Sequence, residues 1–285
     1  MTTKLPALFI SHGSPMTALE PGAAGRFMQR LGPAIDVCFG RPRAIVTVSA
    51  HTMTREPVVM AAARHEAIYD FGGFDPTLQT LRYDVPGDAA LATRIQGLIA
   101  AADLPVHRAD DGGLDHGVWT PLRYMYPKAD IPVVPLAWVP SWSPERQTAL
   151  GAALAPLRSE GVLVLATGSI THNLSLFMQQ SQPALESPEI EASRSFRDWF
   201  ADASTRGDWD ALLAYRERAP HAVAMHPSDD HLLPWYIAAG AGGRDAAPVR
   251  LHSGAAYAVI GMDTYAFGAE AQTLAQSMRA GVPLA

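Results

Sequence analysis

The sequence predicts an α/β protein: a single-domain three-layer α/β/α sandwich around a mostly parallel or mixed central sheet. Three observations point there. Short β-rich runs alternate along the chain with stretches of helical pattern, as they do when strands and helices stack in layers. The strand candidates are continuously apolar, which fits strands covered on both faces. No internal repeat, low-complexity tract or convincing linker divides residues 1–285, so the chain reads as one domain.

In chain order, strands are expected near 6–10, 44–50, 57–61, 132–138, 162–167 and 255–260. Helices are expected near 22–31, 88–101, 144–159, 188–204, 208–217 and 268–280. Ser143-Pro144-Glu145 and Ser187-Pro188-Glu189 each pair an N-cap residue with proline at the first helical position. Gly161 supplies a C-terminal stop for the third helix. Gln179 to Pro188, rich in Gln, Ser and Pro, reads as a flexible loop. Three further loops carry chemistry: Asp111 to Gly117 ahead of Val118-Trp119-Thr120-Pro121-Leu122, Tyr69 to Phe74, and His226 to Pro234, which opens a short helix.

Of 285 residues, 48% are hydrophobic, ample for a sizeable core. The net charge of -6 and the lack of a Lys/Arg cluster argue against nucleic acid and anionic membrane surfaces as partners. The lone cysteine, Cys38, excludes an intrachain disulfide and a cysteine-rich zinc site, and reads as a small apolar side chain rather than a nucleophile. No apolar run reaches the roughly 18–20 residues of a membrane span. The apolar stretch after Met1-Thr2-Thr3-Lys4 is too short for a signal peptide, so a cytoplasmic location is expected.

Three strand candidates end near a histidine. Leu5 to Ile10 runs into Ser11-His12-Gly13-Ser14, Ala44 to Ala50 into His51, and Val162 to Ala166 into Thr167-Gly168-Ser169-Ile170-Thr171-His172. Ligands of open α/β sheets collect beyond the carboxyl ends of the strands. Parallel strands would put all three imidazoles on that rim, where a rigid strand end holds a metal-binding side chain well. Each alone could simply cap its strand; together with His226 and His231 they favour a shared site. His116 lies between Asp115 and Gly117, and an adjacent carboxylate could set its tautomer, though sequence neighbours often point apart. Asp229 and Asp230 offer a nearby carboxylate, while His65, His107, His221 and His252 carry less signal. Nucleophile elbows, phosphate loops and dinucleotide fingerprints are absent.

Several of these stretches, in this order, resemble one family. They are Leu8 to Met16, Val48-Ser49-Ala50-His51, Tyr69 to Phe74, Leu114 to Trp119, Gly168 to Leu174 and Pro227 to Pro234. The chain is similar, from about residue 6 to 265, to the DOPA-type extradiol aromatic ring-opening dioxygenases of the class III superfamily, which includes the protocatechuate 4,5-dioxygenase catalytic subunit. The resemblance implies an α/β/α fold with one divalent metal per chain. It implies His12, His51 and His231 as metal ligands, His172 as an acid/base beside them, and His116 on the substrate side. Thr52, where relatives often carry Trp, and His226, where Asn is common, depart from the pattern and alter the pocket.

The expected reaction is ring opening of a catechol-type substrate, DOPA-like or related, with O₂. Fe(II) suits this chemistry because Zn(II) cannot change oxidation state, yet Zn(II) binds nitrogen-rich sites more tightly and is expected to compete during purification. Imidazole titrates near neutral pH, which suits His172 to take and return a proton. Phe71, Phe74, Trp119 and His226 are candidate pocket walls. The alternatives are a zinc hydrolase using the same histidines and a non-enzymatic binding member of the superfamily; an intact His172 argues against the latter.

Overall fold

The structure, a computed structural model, describes residues 4–179 and 183–281. Met1 to Thr3, and Gln180, Ser181 and Gln182 of the expected loop, lie outside the described residues.

The strands of the main sheet are β1 (Ala7–Ser11), β2 (Ala44–Ser49), β3 (Val58–Met60), β4 (His107–Ala109), β5 (Val133–Ala137), β6 (Val162–Gly168), β7 (Val249–His252) and β8 (Thr264–Phe267). They form an 8-stranded mixed sheet in the order β4-β3-β5-β2-β6-β1-β8-β7. Its centre, β5-β2-β6-β1, is parallel throughout. β8 pairs antiparallel with both β1 and β7, and β3 antiparallel with β5.

Side chains alternate across each strand, so every central strand feeds two cores. Phe9, Val46, Val48, Val164 and Ala166 face one side, where they meet Ile95, Leu150, Phe200 and Trp235. Leu8, Ile10, Ile45, Leu163 and Leu165 face the other, against Phe27, Leu31, Trp119 and Leu274. Burying each such side chain contributes roughly 1.5–3 kcal/mol, and it does so on both faces of the sheet. The helices that supply these partners are α1 (Gly22–Phe39), α2 (Ala89–Ala101), α3 (His116–Met125), α4 (Pro144–Leu154), α5 (Glu191–Arg206), α6 (Leu233–Gly242) and α7 (Ala271–Ala280). The fold is therefore the expected three-layer arrangement. Among the described residues no helix is long and apolar enough to cross a membrane.

Several local expectations need correction. The 255–260 run is not a sheet strand. Ala255–Ala256 and Ile260–Gly261 make a small hairpin, while the sheet takes β7 and β8 on either side of it. The helix expected over 144–159 breaks at Leu154 into a 3-10 turn, Ala155–Glu160, because Pro156 has no N–H for the helical ladder. Gly161 does close that turn, at φ 74°. Ser187 does not cap α5. The helix starts at Glu191, and Glu189 instead accepts hydrogen bonds from Ser193 Oγ (2.6 Å) and Arg197 Nη1 (2.7 Å). The region 208–217 forms two short helices, Trp209–Leu213 and Tyr215–Arg218. α1 continues through Pro33 to Phe39, carrying Cys38 half-buried.

Candidate metal centre

β1, β2 and β6 are neighbours and run the same way, so their C-terminal ends share one rim. His12 directly follows β1, and its N–H donates to the Gly168 carbonyl at the end of β6 (3.1 Å). His51 lies just past β2, its N–H donating to Ser49 Oγ (3.2 Å). Past β6, the Ser169 N–H donates to the His231 carbonyl (2.9 Å) and the His172 N–H to the Met225 carbonyl (3.0 Å). The end of one strand thus fixes the backbone of His12 and of His231, which are far apart in sequence.

The side chains converge. His12 Nε2 and His51 Nε2 are 3.0 Å apart. Ring nitrogens of His12, His51 and His116 all lie within 4.8 Å of one another. The His231 ring centroid is 5.5 Å from that of His12 and 5.0 Å from that of His51. His172 stacks flat on His231 at 3.5 Å, with the planes 6° apart. All five expected imidazoles are therefore in one cluster.

Charge is disfavoured here. Burial first, then the crowd of neighbouring imidazoles, pushes the His12 side chain well below its ordinary value. The same causes push His51 down to about 3, against the pull of Asp70 and Asp230. Burial and the stacked His231 lower His172. Burial works to neutralise Asp230, but hydrogen bonding and charge at His231 hold its carboxyl below the usual range. Neutral imidazoles present lone pairs, and several lone pairs aimed together need a cation or a proton donor between them. His12 Nδ1 and His231 Nε2 are buried without a hydrogen-bond partner, while His231 Nδ1 lies 3.3 Å from Asp230 Oδ1. These residues fit a divalent metal bound by nitrogen.

Asp70, within the Tyr69 to Phe74 loop, is the carboxylate that orients His116, a partner that sequence adjacency does not reveal. His116 Nδ1 lies 3.0 Å from each Asp70 oxygen, and the His116 backbone N–H donates to the same carboxylate (3.0 Å). Nδ1 therefore carries the proton, and Nε2 keeps its lone pair. Asp115, the sequence neighbour, points away. It caps α3 through the Gly117 N–H (2.8 Å) and accepts from Ser49 Oγ and Thr52 Oγ1, each at 2.6 Å. Thr52 thus braces the carboxylate under β2. Asp230 Oδ1 accepts from the His231 N–H (3.0 Å), and Asp229 is engaged by Tyr215 and Arg216.

The cluster opens onto a cavity of about 350 Å³. Phe71 and Phe74 line it as expected, joined by Pro15, Leu174, Phe177 and Tyr257, which sequence reasoning missed. Two expected wall residues lie elsewhere. Trp119 is fully buried behind Phe71, its indole N–H on the Ile68 carbonyl (3.0 Å). His226 is fully buried against Phe196, its Nε2 2.8 Å from the Ile170 carbonyl. His65 and His107 are engaged away from the cluster, by Gly112 and Glu56.

The profile of a protein family described as the catalytic LigB subunit of aromatic ring-opening dioxygenase matches residues 6–268. The chain is 34% identical over 261 residues to 4,5-DOPA dioxygenase extradiol of Beta vulgaris, covering 91% of this chain and 95% of the relative. It is 35% identical over 243 residues to 4,5-DOPA dioxygenase extradiol of Escherichia coli K12, covering 84% and 86%. The crystal structure of an uncharacterized Escherichia coli K12 protein superposes with a TM-score of 0.73 at 30% identity, covering 93% of this chain and 100% of that one.

Proposed function

This chain belongs to the LigB family of aromatic ring-opening dioxygenases and is an extradiol dioxygenase, and we propose that it opens a catechol-type ring at a metal held by His12, His51 and His231. One observation carries the ligand assignment: His231 is buried with its Nδ1 3.3 Å from Asp230 Oδ1, yet its Nε2 has no hydrogen-bond partner. A buried nitrogen left unpaired is costly, and a metal would satisfy it. Fe(II) bound there would supply the redox-active centre that couples a catecholate to O₂. Family membership sets aside the hydrolase and binding-module alternatives.

Three neutral imidazoles would leave a bound metal its full positive charge, which would favour an anionic catecholate. His172, stacked on His231 and facing the cavity, takes the catechol hydroxyl proton and returns it later. His116, its Nδ1 proton committed to Asp70, offers Nε2 as an acceptor to a substrate hydroxyl. Phe71 and Phe74 flank the ring. The overall reaction balances as catechol plus O₂. One carbon–carbon bond beside the diol breaks, both oxygen atoms enter the product, and no added reductant is needed.

A second ligand set has one observation in its favour: the nitrogens of His12, His51 and His116 form the tight group. The orientation of His116 by a carboxylate is also common among metal-bound histidines. The proposed activity is tested by anaerobic Fe(II) loading followed by catechol in air. The expected result is a coloured product formed with one O₂ consumed per ring. Catechol left intact by fully loaded protein would refute it.

A further inference from the structure

Beyond its imidazoles the cavity has a consistent chemistry. Phe71, Phe74, Leu174, Phe177 and Tyr257 form its far walls. Among the described residues that line it there is no Lys or Arg, and the one carboxylic acid is Asp230. Ser14 and Tyr257 are the hydroxyl-bearing residues of the lining. Ser14 Oγ accepts from the Met16 N–H (3.2 Å). The cavity therefore offers no cationic side chain to an anionic group.

The aromatic wall is held in place. Tyr257 and Ala258 both adopt positive φ, 52° and 64°, in the hairpin between Ala256 and Ile260. That conformation is unfavourable for residues with a Cβ and persists where surrounding contacts impose it. Here the Tyr257 N–H donates to the Leu185 carbonyl (3.0 Å), and Phe177 packs edge-on against the ring at 5.7 Å. At the mouth, Phe74 is 44% and Leu174 58% exposed, large apolar side chains left in water beside a cavity.

We infer that the substrate is a catechol whose ring substituent is uncharged and apolar, an alkyl or aryl group, and not an amino-acid or carboxylate side chain. This rests on the ring-opening reading above. With the two hydroxyls at the imidazole end of the cavity, the substituent would lie toward the phenylalanine and tyrosine walls. A carboxylate there would lose water and find no cationic side chain. An alkyl chain would gain about fourfold in kcat/KM for each methylene it buries.

The test compares the Fe(II)-loaded enzyme on catechol, 4-propylcatechol, 3-(3,4-dihydroxyphenyl)propionate and L-DOPA, reading O₂ uptake and product absorbance. The expected order puts 4-propylcatechol at least tenfold above plain catechol in kcat/KM, with both carboxylates below plain catechol. Carboxylates turned over as well as 4-propylcatechol would overturn the inference while leaving ring opening intact. If no catechol is opened, the ring-opening reading fails, and the dissociation constants of the same compounds decide the inference. Equal affinity for the propyl and propionate compounds then refutes it. Leu174→Arg adds a cation at the exposed mouth and should raise the propionate-to-propyl ratio at least threefold. An unchanged ratio in this variant would show that the substituent does not lie against this wall.

Discussion

Gly168 is where one methyl group should separate site geometry from general stability. A Cβ at Gly168 would sit 2.0 Å from the His231 carbonyl oxygen and 3.2 Å from Phe9 Cε2. Ordinary packing distances are about 3.5–4.0 Å, so the His231 backbone must retreat by over ~1 Å in Gly168→Ala. The same glycine's carbonyl anchors the His12 N–H, so both ends of the cluster are disturbed. Overpacking of this kind costs about 1–3 kcal/mol. A displacement of ~1 Å at a reacting site costs on the order of 10²-fold in turnover, and metal affinity should fall about 10–100-fold. Gly240→Ala is the control. Its Cβ would meet the Thr148 carbonyl at 2.0 Å, an equal clash at the α4–α6 contact, away from the cluster. Thermal melting, metal titration and steady-state turnover are compared for both. Both variants should melt lower, and only Gly168→Ala should lose metal affinity. Wild-type affinity and turnover in a folded Gly168→Ala protein would refute the claim that β6 positions His231.

Other expectations follow from the same geometry. His172→Gln should keep its metal and lose on the order of 10²–10⁴-fold in turnover; loss of metal by elemental analysis would make His172 a ligand instead. His51→Ala should bind well under one metal per chain with an unchanged circular dichroism spectrum, and full occupancy would remove His51 from the ligand set. Asp230→Asn should retain metal, since its role is to hold the His231 backbone; a metal-free variant would indicate a carboxylate ligand. His226 is one pH-sensitive element of the apoprotein, away from the cavity lining. Burial holds its imidazole down at about 4, against an upward pull from the hydrogen bond to Ile170, while the unfolded chain titrates near 6.5. Its contribution is therefore intact above pH 6.5 and is lost as pH falls toward 4, by up to about 3 kcal/mol. His226→Asn should flatten the drop in urea midpoint between pH 7 and pH 5, and an equal drop in both proteins would count against this account.

The central strands and the histidines at their ends were legible because continuous apolar runs of strand length and an imidazole at the tip are local signals. Ala7–Ser11, Ala44–Ser49 and Val162–Gly168 fall within one or two residues of expectation. α3 was not legible. Pro121 and the glycines before it read as loop, yet Asp115 caps the helix and proline is tolerated in its interior. The 255–260 run was apolar enough for a strand, but its side chains serve a hairpin over the cavity, and only tertiary contacts reveal that. Asp70 was illegible as the partner of His116 for a similar reason. Its loop and the start of α3 are far apart in sequence, and adjacency made Asp115 the apparent candidate. Trp119 and His226 looked like pocket residues from composition, but an aromatic or imidazole group packs equally well one layer behind the wall.

The claim on which everything else rests is that these imidazoles form a metal centre closed by His231. Metal content per chain, measured after anaerobic Fe(II) loading and desalting of His231→Ala and His116→Ala, tests it most directly. The account expects His231→Ala to be essentially metal-free, and His116→Ala to carry about one metal per chain while losing most of its turnover. A loaded His231→Ala beside a metal-free His116→Ala would contradict it and assign the third ligand to His116.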